Sequence, residues 1–231
     1  MLILTINVFR AQPVYKEKIK TDLLIFDFDG TLVTSGEDLV ISVNHTRGEL
    51  GLPALPAEVI ISFVGDGVHK LIERAIGPGA MARFDEAMHI FTGHYTGQML
   101  KHTRLFPGVI EVLEYFGAKR KLIVTNKRYR FTRAIAEALG IDRYFEEIIG
   151  SDNTPFCKPD PRLLEDIMAR YGVKGENTVV VGDGINDIKM AKQAGALVCA
   201  FLNGLGSRDE LLSLSPDLTC ENLLELKNLL A

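Results

Sequence analysis

A short apolar run that ends in two acidic residues constrains this chain more than any other feature. Residues 23–26 are all apolar, and Asp27, Phe28, Asp29 and Gly30 follow directly. Four apolar residues bounded by polar ones predict a strand buried on both faces, as in a parallel sheet. Side chains alternate along an extended chain, so Asp27 and Asp29 are expected on one side and Phe28 on the other. The same Asp-x-Asp-Gly pattern is also typical of an ordinary polar turn, so residues further along the chain must decide.

The rest of the chain alternates apolar runs with helical patterns. Five more strands are predicted, at residues 121–125, 145–149, 177–182, 196–201 and 217–219. Helical periodicity fills the intervals between them. Strands that alternate with helices form βαβ units, which predicts an α/β fold with a parallel sheet.

A long segment after the first strand has helical character only. No strand pattern is convincing between Thr34 and His102, where apolar residues recur at helical spacing. We therefore divide the chain into three parts. They are an N-terminal extension of unknown structure (1–20), a core (21–34 and 104–231) and a small all-helical insert (35–103).

Composition excludes several classes of protein. The net charge of −4 argues against a general nucleic-acid binder, which usually carries a basic face. No apolar run reaches the ~18 residues of a membrane helix, and residues 1–9 lack the basic segment and cleavage site of a signal peptide. The three cysteines form no Cys-x-x-Cys pair, so neither a zinc site nor a disulfide framework is indicated. We expect a cytoplasmic protein, monomeric or homodimeric, with no membrane or nucleic-acid partner.

Polar side chains follow four of the predicted strands. Besides Asp27 and Asp29, they are Thr125 with Asn126, Lys158, and Asp183 with Asp187. In a parallel sheet the carboxyl ends of the strands open on one edge, so these residues are expected at one site. Each of these groups alone is explained by a turn or a surface residue, but their recurrence in successive βα units is not.

The acidic residues of this set suit a hard metal ion. Asp27, Asp29 (through its backbone carbonyl) and Asp183 offer oxygen ligands of the kind that Mg²⁺ prefers. A divalent cation would also relieve the repulsion between clustered carboxylates. Asp187 lies one helical turn after Asp183 and is either a further ligand or a group that orients one.

The remaining residues match the needs of a phosphoryl group. Thr125, Asn126 and Lys158 supply hydrogen-bond donors and a positive charge, and Gly30 lets the backbone approach a ligand closely. Asp27 is the predicted nucleophile. Asp29 is the predicted general acid and base, which protonates the leaving oxygen and later takes a proton from water.

These motifs, in this order, resemble those of the haloacid dehalogenase-like hydrolases. The matching stretches are 27–31, Thr125-Asn126, Lys158-Pro159 and Gly182 to Asp187. The resemblance covers about residues 22–231 and implies a Rossmann-like core with helices on both faces. It also implies Mg²⁺, an aspartyl-phosphate intermediate and a helical cap of subclass I. An aspartate at Asp29 separates the phosphatase branch from the dehalogenases.

Further stretches are similar to the phosphoglycolate phosphatases within that family. They lie at residues 31–35, 50–53, 63–67, 106–109 and 124–127. One departure is Gly184, where many members have serine. The resemblance implies a phosphatase for a small phosphorylated metabolite, with 2-phosphoglycolate as the first substrate to consider. Pyrophosphatases, nucleotidases and sugar-phosphate phosphatases or mutases share much of the pattern, and a non-catalytic phosphate-binding regulator is the alternative of another class.

Substrate choice is expected to reside in the helical cap, which closes over the site. The loop of Gly65, Asp66 and Gly67 is predicted to face the core. Basic residues of the cap are candidates to meet a substrate carboxylate, although for any one of them a solvated helix residue is the simpler explanation. They are Arg47, His69, Lys70 and Arg74.

Overall fold

Six parallel strands form a single sheet at the centre of the protein. The computed structural model describes residues 17–231. The order across the sheet is β3-β2-β1-β4-β5-β6. The strands are β1 (Leu23–Phe26), β2 (Arg120–Val124), β3 (Glu147–Ile149), β4 (Thr178–Gly182), β5 (Leu197–Phe201) and β6 (Leu218–Cys220). The predicted α/β fold class with a parallel sheet is confirmed.

Helices connect the strands and also form an insert between β1 and β2. The insert, which we call the cap, contains α1 (Gly36–Glu49), α2 (Ala57–Ile61), α3 (Val68–Ile76) and α4 (Phe84–Gln98). The remaining helices are α5 (Val109–Tyr115), α6 (Tyr129–Ala138), α7 (Pro161–Tyr171), α8 (Ile185–Gln193), α9 (Arg208–Ser213) and α10 (Leu226–Leu229). As the sequence predicts, the cap is helical throughout.

The position of β1 fixes where a ligand can bind. β1 pairs with β2 on one side and with β4 on the other. Along the chain, β2 and β3 are added to one side of β1, and β4, β5 and β6 are then added to its other side. Open α/β sheets bind ligands in the crevice at such a switch point, beyond the carboxyl ends of the strands. The residues that follow β1 and β4 therefore lie at the expected site.

Apolar side chains on both faces of the sheet hold the core together. Leu24 and Phe26 belong to one buried cluster, and Leu23 and Ile25 belong to the cluster on the opposite face. All four are fully buried, which explains why β1 lacks the polar alternation of a half-exposed strand. Phe28 continues the first cluster, so it anchors the turn that carries the two acidic residues.

The cap has an apolar cluster of its own and is joined to the core by two adjacent segments. These segments pair where Thr34 N donates to Arg104 O at 2.8 Å and Phe106 N donates to Leu32 O at 3.0 Å. Asp38, in the first turn of α1, fixes the returning segment because its buried carboxylate accepts hydrogen bonds from Gln98, from His102 N and from Thr103. Burial would raise the pKa of Asp38, but these hydrogen bonds outweigh it and lower the pKa.

Most of the predicted N-terminal extension lies outside the described residues. Within the described part, Ile19 forms an isolated parallel bridge with Leu230, next to the C-terminal helix. From residue 17 onward, no helix is both long and apolar enough to cross a membrane.

Candidate active site

Asp27 and Lys158 meet directly at the carboxyl edge of the sheet. The Lys158 Nζ atom lies 2.8 Å from Asp27 Oδ1 and 2.7 Å from Asp187 Oδ1, and the lysine side chain is only 2% exposed. Burial would lower the pKa of Lys158, but the two carboxylates outweigh it and raise the pKa. Lys158 is therefore a fixed positive charge. Within residues 17–231, the hydrogen bond and the ion pair of Asp27 both use Oδ1, which leaves Oδ2 for a ligand.

Asp183 is packed tightly against backbone and against the turn after β1. Its Oδ1 accepts a hydrogen bond from the Thr31 hydroxyl at 2.7 Å, and its Oδ2 accepts one from Leu205 N at 2.7 Å. Burial, followed by the charge of Asp27, raises the pKa of Asp183 to about 6, although these hydrogen bonds oppose the shift. Sequence reasoning missed the role of Thr31, because it depends on the approach of two strands that are distant in the chain.

Gly30 is required where β1 turns past Asp183. It has a φ of 83°, and a Cβ atom there would overlap the Asp183 carboxylate. Gly30→Ala is therefore expected to displace Asp183 and reduce kcat/KM by about 100-fold or more, since small misplacements of reacting groups have effects of that size. Steady-state kinetics with p-nitrophenyl phosphate would measure it.

Gly140→Ala is the matched control for this substitution. Gly140 has a φ of 71°, and nothing lies within 4 Å of its Cβ position. The control thus carries the same backbone strain without the overlap, and we expect a loss of stability of about 1–2 kcal/mol with activity retained. Equal loss of activity in the two variants would show that Gly30 acts through backbone strain alone.

Asp187 uses both carboxylate oxygens within the protein. Oδ1 accepts from Lys158 Nζ at 2.7 Å, and Oδ2 accepts from Gly184 N at 3.1 Å. Burial raises the pKa of Asp187, and Lys158 opposes that shift. Both carboxylate oxygens of Asp187 thus bind groups of the protein, and the group that it orients is Lys158 rather than one of the predicted metal ligands. Its predicted role as a metal ligand, or as a group that orients one, stays a prediction.

The sequence analysis assigned no role to Lys127, which binds the proposed acid and base. Its Nζ lies 3.0 Å from both carboxylate oxygens of Asp29 and 2.6 Å from the Tyr95 hydroxyl of the cap. Burial would lower the pKa of Lys127, but Asp29 and Tyr95 outweigh it and raise the pKa. Burial raises the pKa of Tyr95 to about 12. Residues 124–127 are similar to the phosphoglycolate phosphatases, but sequence could not show that α4 places Tyr95 here.

Asn126 links the core to the cap loop at residues 65–67. Its Nδ2 donates to Gly65 O at 2.8 Å and to Lys158 O at 2.9 Å. Asn186, which sequence reasoning also missed, donates to Asp66 Oδ1 at 2.7 Å. The expectation that the cap loop faces the core therefore agrees with the hydrogen bonds that hold it there.

Two cavities meet at Asp27 and Asp29. The smaller, of about 70 Å³, lies between the cap and the core and includes Thr125 and Lys127 in its wall. The larger, of about 550 Å³, is lined by Lys158, Asp183 and Asp187 on the core side. Thr125 Oγ1 accepts a hydrogen bond from Lys127 N at 3.2 Å, which leaves its proton for a ligand. Both predicted catalytic carboxylates are thus reachable from either side.

The basic residues of the cap differ in where they lie. Arg47 is buried inside the cap, where it donates to the backbone carbonyls of Pro53 and Ala75, and it lines neither cavity. These contacts hold its side chain within the cap, so the prediction that Arg47 meets a substrate carboxylate does not agree with the structure. Arg74 lines the larger cavity and pairs with Asp66 at 2.5 Å.

The two remaining cap residues face outward. The ring of His69 lies tilted against that of Phe84, with centroids 5.6 Å apart, and Lys70 pairs with Glu73 on the helix surface. Neither side chain lines either cavity. For both residues the solvated-helix explanation is the simpler one.

The donor set at β1 and β4 fits a divalent cation. Among the described residues, no three Asp, Glu, His or Cys side chains already surround one point. However, Asp27 and Asp183 are close enough for the charge of one to raise the pKa of the other. A cation between them would remove this repulsion, and carboxylate oxygens with a backbone carbonyl are hard ligands of the kind that Mg²⁺ takes.

The sheet carries two carboxylates, Asp27 and Asp29, and the buried lysine Lys158 at its switch point. This combination points to a class of hydrolytic phosphoryl-transfer enzymes. The family model of haloacid dehalogenase-like hydrolases matches residues 24–201. This match covers more than half of the chain, which therefore belongs to the haloacid dehalogenase-like hydrolase family.

Relatives and solved structures agree with this assignment. The phosphoglycolate phosphatase of Nitrosococcus oceani is 33% identical over 91% of this chain and 96% of its own. That of Mesorhizobium japonicum is 37% identical over 80% and 85%, respectively. Among solved structures, a predicted phosphoglycolate phosphatase from Haemophilus somnus 129pt superposes with a TM-score of 0.86 at 28% identity, covering 90% of this chain and 97% of its own.

Proposed function

We propose that the protein is a Mg²⁺-dependent phosphatase that hydrolyses a small phosphate monoester, with 2-phosphoglycolate as its leading substrate. The observation that carries the proposal is the geometry at Asp27. One of its oxygens is fixed by the buried Lys158, the other makes no hydrogen bond or ion pair to residues 17–231, and Asp27 borders both cavities. A carboxylate held in this way can attack a phosphoryl group whose charge the lysine neutralises.

In the first step, Asp27 attacks phosphorus and the ester bond to the alcohol oxygen breaks. Lys158 and the hydroxyl of Thr125 neutralise and orient the phosphoryl oxygens, and the turn at Gly30 gives them room. Asp29 gives its proton to the departing alcohol oxygen. The products of this step are the free alcohol and an aspartyl phosphate on Asp27.

In the second step, water attacks the phosphorus of the aspartyl phosphate. Asp29, now a carboxylate, accepts a proton from this water, and Asp27 is released together with inorganic phosphate. Phe28 lies in the core between the two aspartates, so both carboxylates are held on one side of the turn throughout. The cap loop at Gly65 covers the site and limits the access of bulk water.

Mg²⁺ would be held by Asp27, by the backbone carbonyl of Asp29 and by Asp183, with Asp187 orienting Lys158. When bound, it supplies charge neutralisation for the carboxylates and for the phosphoryl oxygens. The chemical steps above are those of the chain's own residues.

Two observations support 2-phosphoglycolate among the small monoesters. The relatives described above are phosphoglycolate phosphatases that match most of this chain. Of the two cavities that border Asp29, the one that also borders Lys127 is small, at about 70 Å³, so a leaving group placed there would have to be compact. Nucleotidase, pyrophosphatase and sugar-phosphate activities are the competing assignments. The three free thiols support a cytoplasmic location, where disulfides are rare.

A panel of phosphorylated metabolites tests the proposal. We expect kcat/KM with Mg²⁺ to be at least 10-fold higher for 2-phosphoglycolate than for a nucleoside monophosphate, a hexose phosphate or pyrophosphate, because a site that fits one leaving group discriminates by such factors. Release of inorganic phosphate is the measurement, and EDTA is the control for the metal. A higher value for any other member of the panel would replace 2-phosphoglycolate as the substrate.

A further inference from the structure

The smaller cavity combines an apolar wall with one deeply buried cation. Its wall contains seven apolar or aromatic side chains from the cap and from α6. They are Leu39, Val64, Val68, Leu71, Phe91, Tyr95 and Phe131. Two cations, Lys127 and Arg128, also line it. The Lys127 side chain is 6% exposed, whereas Arg128 is half-buried and approaches His69 on the outer side. Lys127 is therefore the cation that faces the interior.

Three contacts fix the Lys127 ammonium group. It donates to both carboxylate oxygens of Asp29 at 3.0 Å and to the Tyr95 hydroxyl at 2.6 Å. The same ammonium lies 4.7 Å from the centre of the Tyr95 ring. Tyr95 is itself held by stacking on Phe91 and by an edge contact with Phe131. A cation that is supported in this way keeps one position, and a group that recognises a ligand must be held so.

The position of Lys127 matters because of what Asp29 must touch. In the proposed reaction, Asp29 contacts the ester oxygen of the leaving alcohol. In a 2-phospho-carboxylate, a single carbon separates that oxygen from the carboxylate. A substrate carboxylate would therefore lie within reach of the ammonium that already contacts Asp29. When Asp29 carries the proton that it gives to the leaving group, the Lys127 ammonium no longer faces a carboxylate. An uncharged leaving group of the same size would then leave this buried cation without an anionic partner, which is unfavourable in an apolar wall.

We propose that Lys127, held by Tyr95, is the specificity-determining residue that binds the carboxylate of the leaving group. This inference rests on the proposed phosphatase function and names the substrate class as phosphomonoesters of short 2-hydroxy acids. The recognition thus comes from a core residue at the end of β2. The cap contributes the tyrosine that holds this residue. Of the two cap arginines, Arg47 is bound inside the cap and Arg74 pairs with Asp66 at the larger cavity.

The experiment compares two substrates that differ only in the charged group. 2-Phosphoglycolate and 2-hydroxyethyl phosphate are assayed with wild type, Lys127→Met and the control Lys174→Met. Lys174 is an exposed lysine that lines neither cavity. We expect the ratio of kcat/KM for the two substrates to fall by about 10- to 100-fold in Lys127→Met, as for the loss of a charge-assisted hydrogen bond. The ratio in Lys174→Met should equal that of wild type.

The opposing outcomes are distinct. If Lys127→Met slows both substrates equally, Lys127 only positions Asp29, and the inference is overturned while the phosphatase function stands. If wild type has equal kcat/KM values for the two substrates, the site does not bind the substrate carboxylate specifically, and the inference is overturned. If wild type hydrolyses 2-hydroxyethyl phosphate but not 2-phosphoglycolate, the proposed substrate fails, and the inference fails with it.

Tyr95→Phe keeps the test decisive if Lys127→Met does not fold. This substitution removes only the hydroxyl that binds Lys127 and retains the buried ring. We expect KM for 2-phosphoglycolate to rise several-fold, and KM for 2-hydroxyethyl phosphate to change less. Equal changes in the two KM values would count against a role of the Tyr95–Lys127 contact in carboxylate binding.

Discussion

Asp27→Asn is expected to lower kcat/KM by about 10⁴-fold or more, the size of effect that follows removal of a nucleophile. The amide has nearly the shape of the carboxylate but cannot attack phosphorus. Lys158 keeps Asp187 as a partner at 2.7 Å, so the site should retain its structure. Phosphate release from 2-phosphoglycolate measures the loss. Acid quenching during turnover should trap protein-bound phosphate in wild type and none in the variant.

Asp166→Asn serves as the control for this substitution. Asp166 lies on the exposed face of α7, and within residues 17–231 its ion pair is with Arg170, so its removal should leave activity unchanged. If Asp27→Asn retained activity within 10-fold of wild type, water would have to attack phosphorus directly. Asp27 would then be only a ligand or an orienting group.

The principal residues of the site could be predicted because a parallel sheet brings distant strand ends together. Asp27, Lys158 and Asp183 are more than 20 residues apart from one another, yet the rule that carboxyl ends share one edge placed them at one site. The buried strand β1 was equally predictable, since its four residues are apolar and lie between polar ones. Such features depend on local pattern and on a general rule of topology.

Contacts between the cap and the core could not be predicted in the same way. The orientation of α4 over the sheet decides whether Tyr95 meets Lys127, and no local pattern encodes that orientation. Arg47 is another residue whose contacts could not be predicted. From the sequence alone, a basic residue on a cap helix is expected to be solvated or to meet the substrate. In the structure, backbone carbonyls inside the cap bind its guanidinium group. The predicted third strand begins at Phe145, whereas β3 begins at Glu147 in the structure. Phe145 lies just before it and packs edge-on against Phe26.

The carboxylate of Asp183 should make the metal-free protein less stable as the pH rises. Its pKa in the folded protein is raised from 3.8 to about 6, chiefly by burial and then by the charge of Asp27. The folded state therefore holds this proton more tightly than the unfolded state does. The contribution of this group to stability is greatest below pH 4 and is lost as the pH rises through about 6.

Asp183→Asn is accordingly expected to stabilise the metal-free protein at pH 8 and to have little effect at pH 4. The amide can accept from Leu205 N through its oxygen and donate to the Thr31 hydroxyl through its nitrogen, so the hydrogen bonds of the carboxylate have replacements. Added Mg²⁺ should raise the Tm of wild type at pH 8, because a ligand that binds only the folded state stabilises it. The variant should lose this response together with its activity.

Thermal unfolding in EDTA and in Mg²⁺, at pH 4 and at pH 8, measures these effects. Asp166→Asn is again the control, and its Tm should equal that of wild type in all four conditions. If Asp183→Asn were less stable than wild type at pH 8 without metal, the hydrogen bonds from Thr31 and Leu205 would outweigh the repulsion from Asp27. The site would then be organised before the metal binds. If the Tm of Asp183→Asn still rose with Mg²⁺, the cation would bind elsewhere. Asp183 is the proposed ligand whose carboxylate most needs the neutralising charge of the cation.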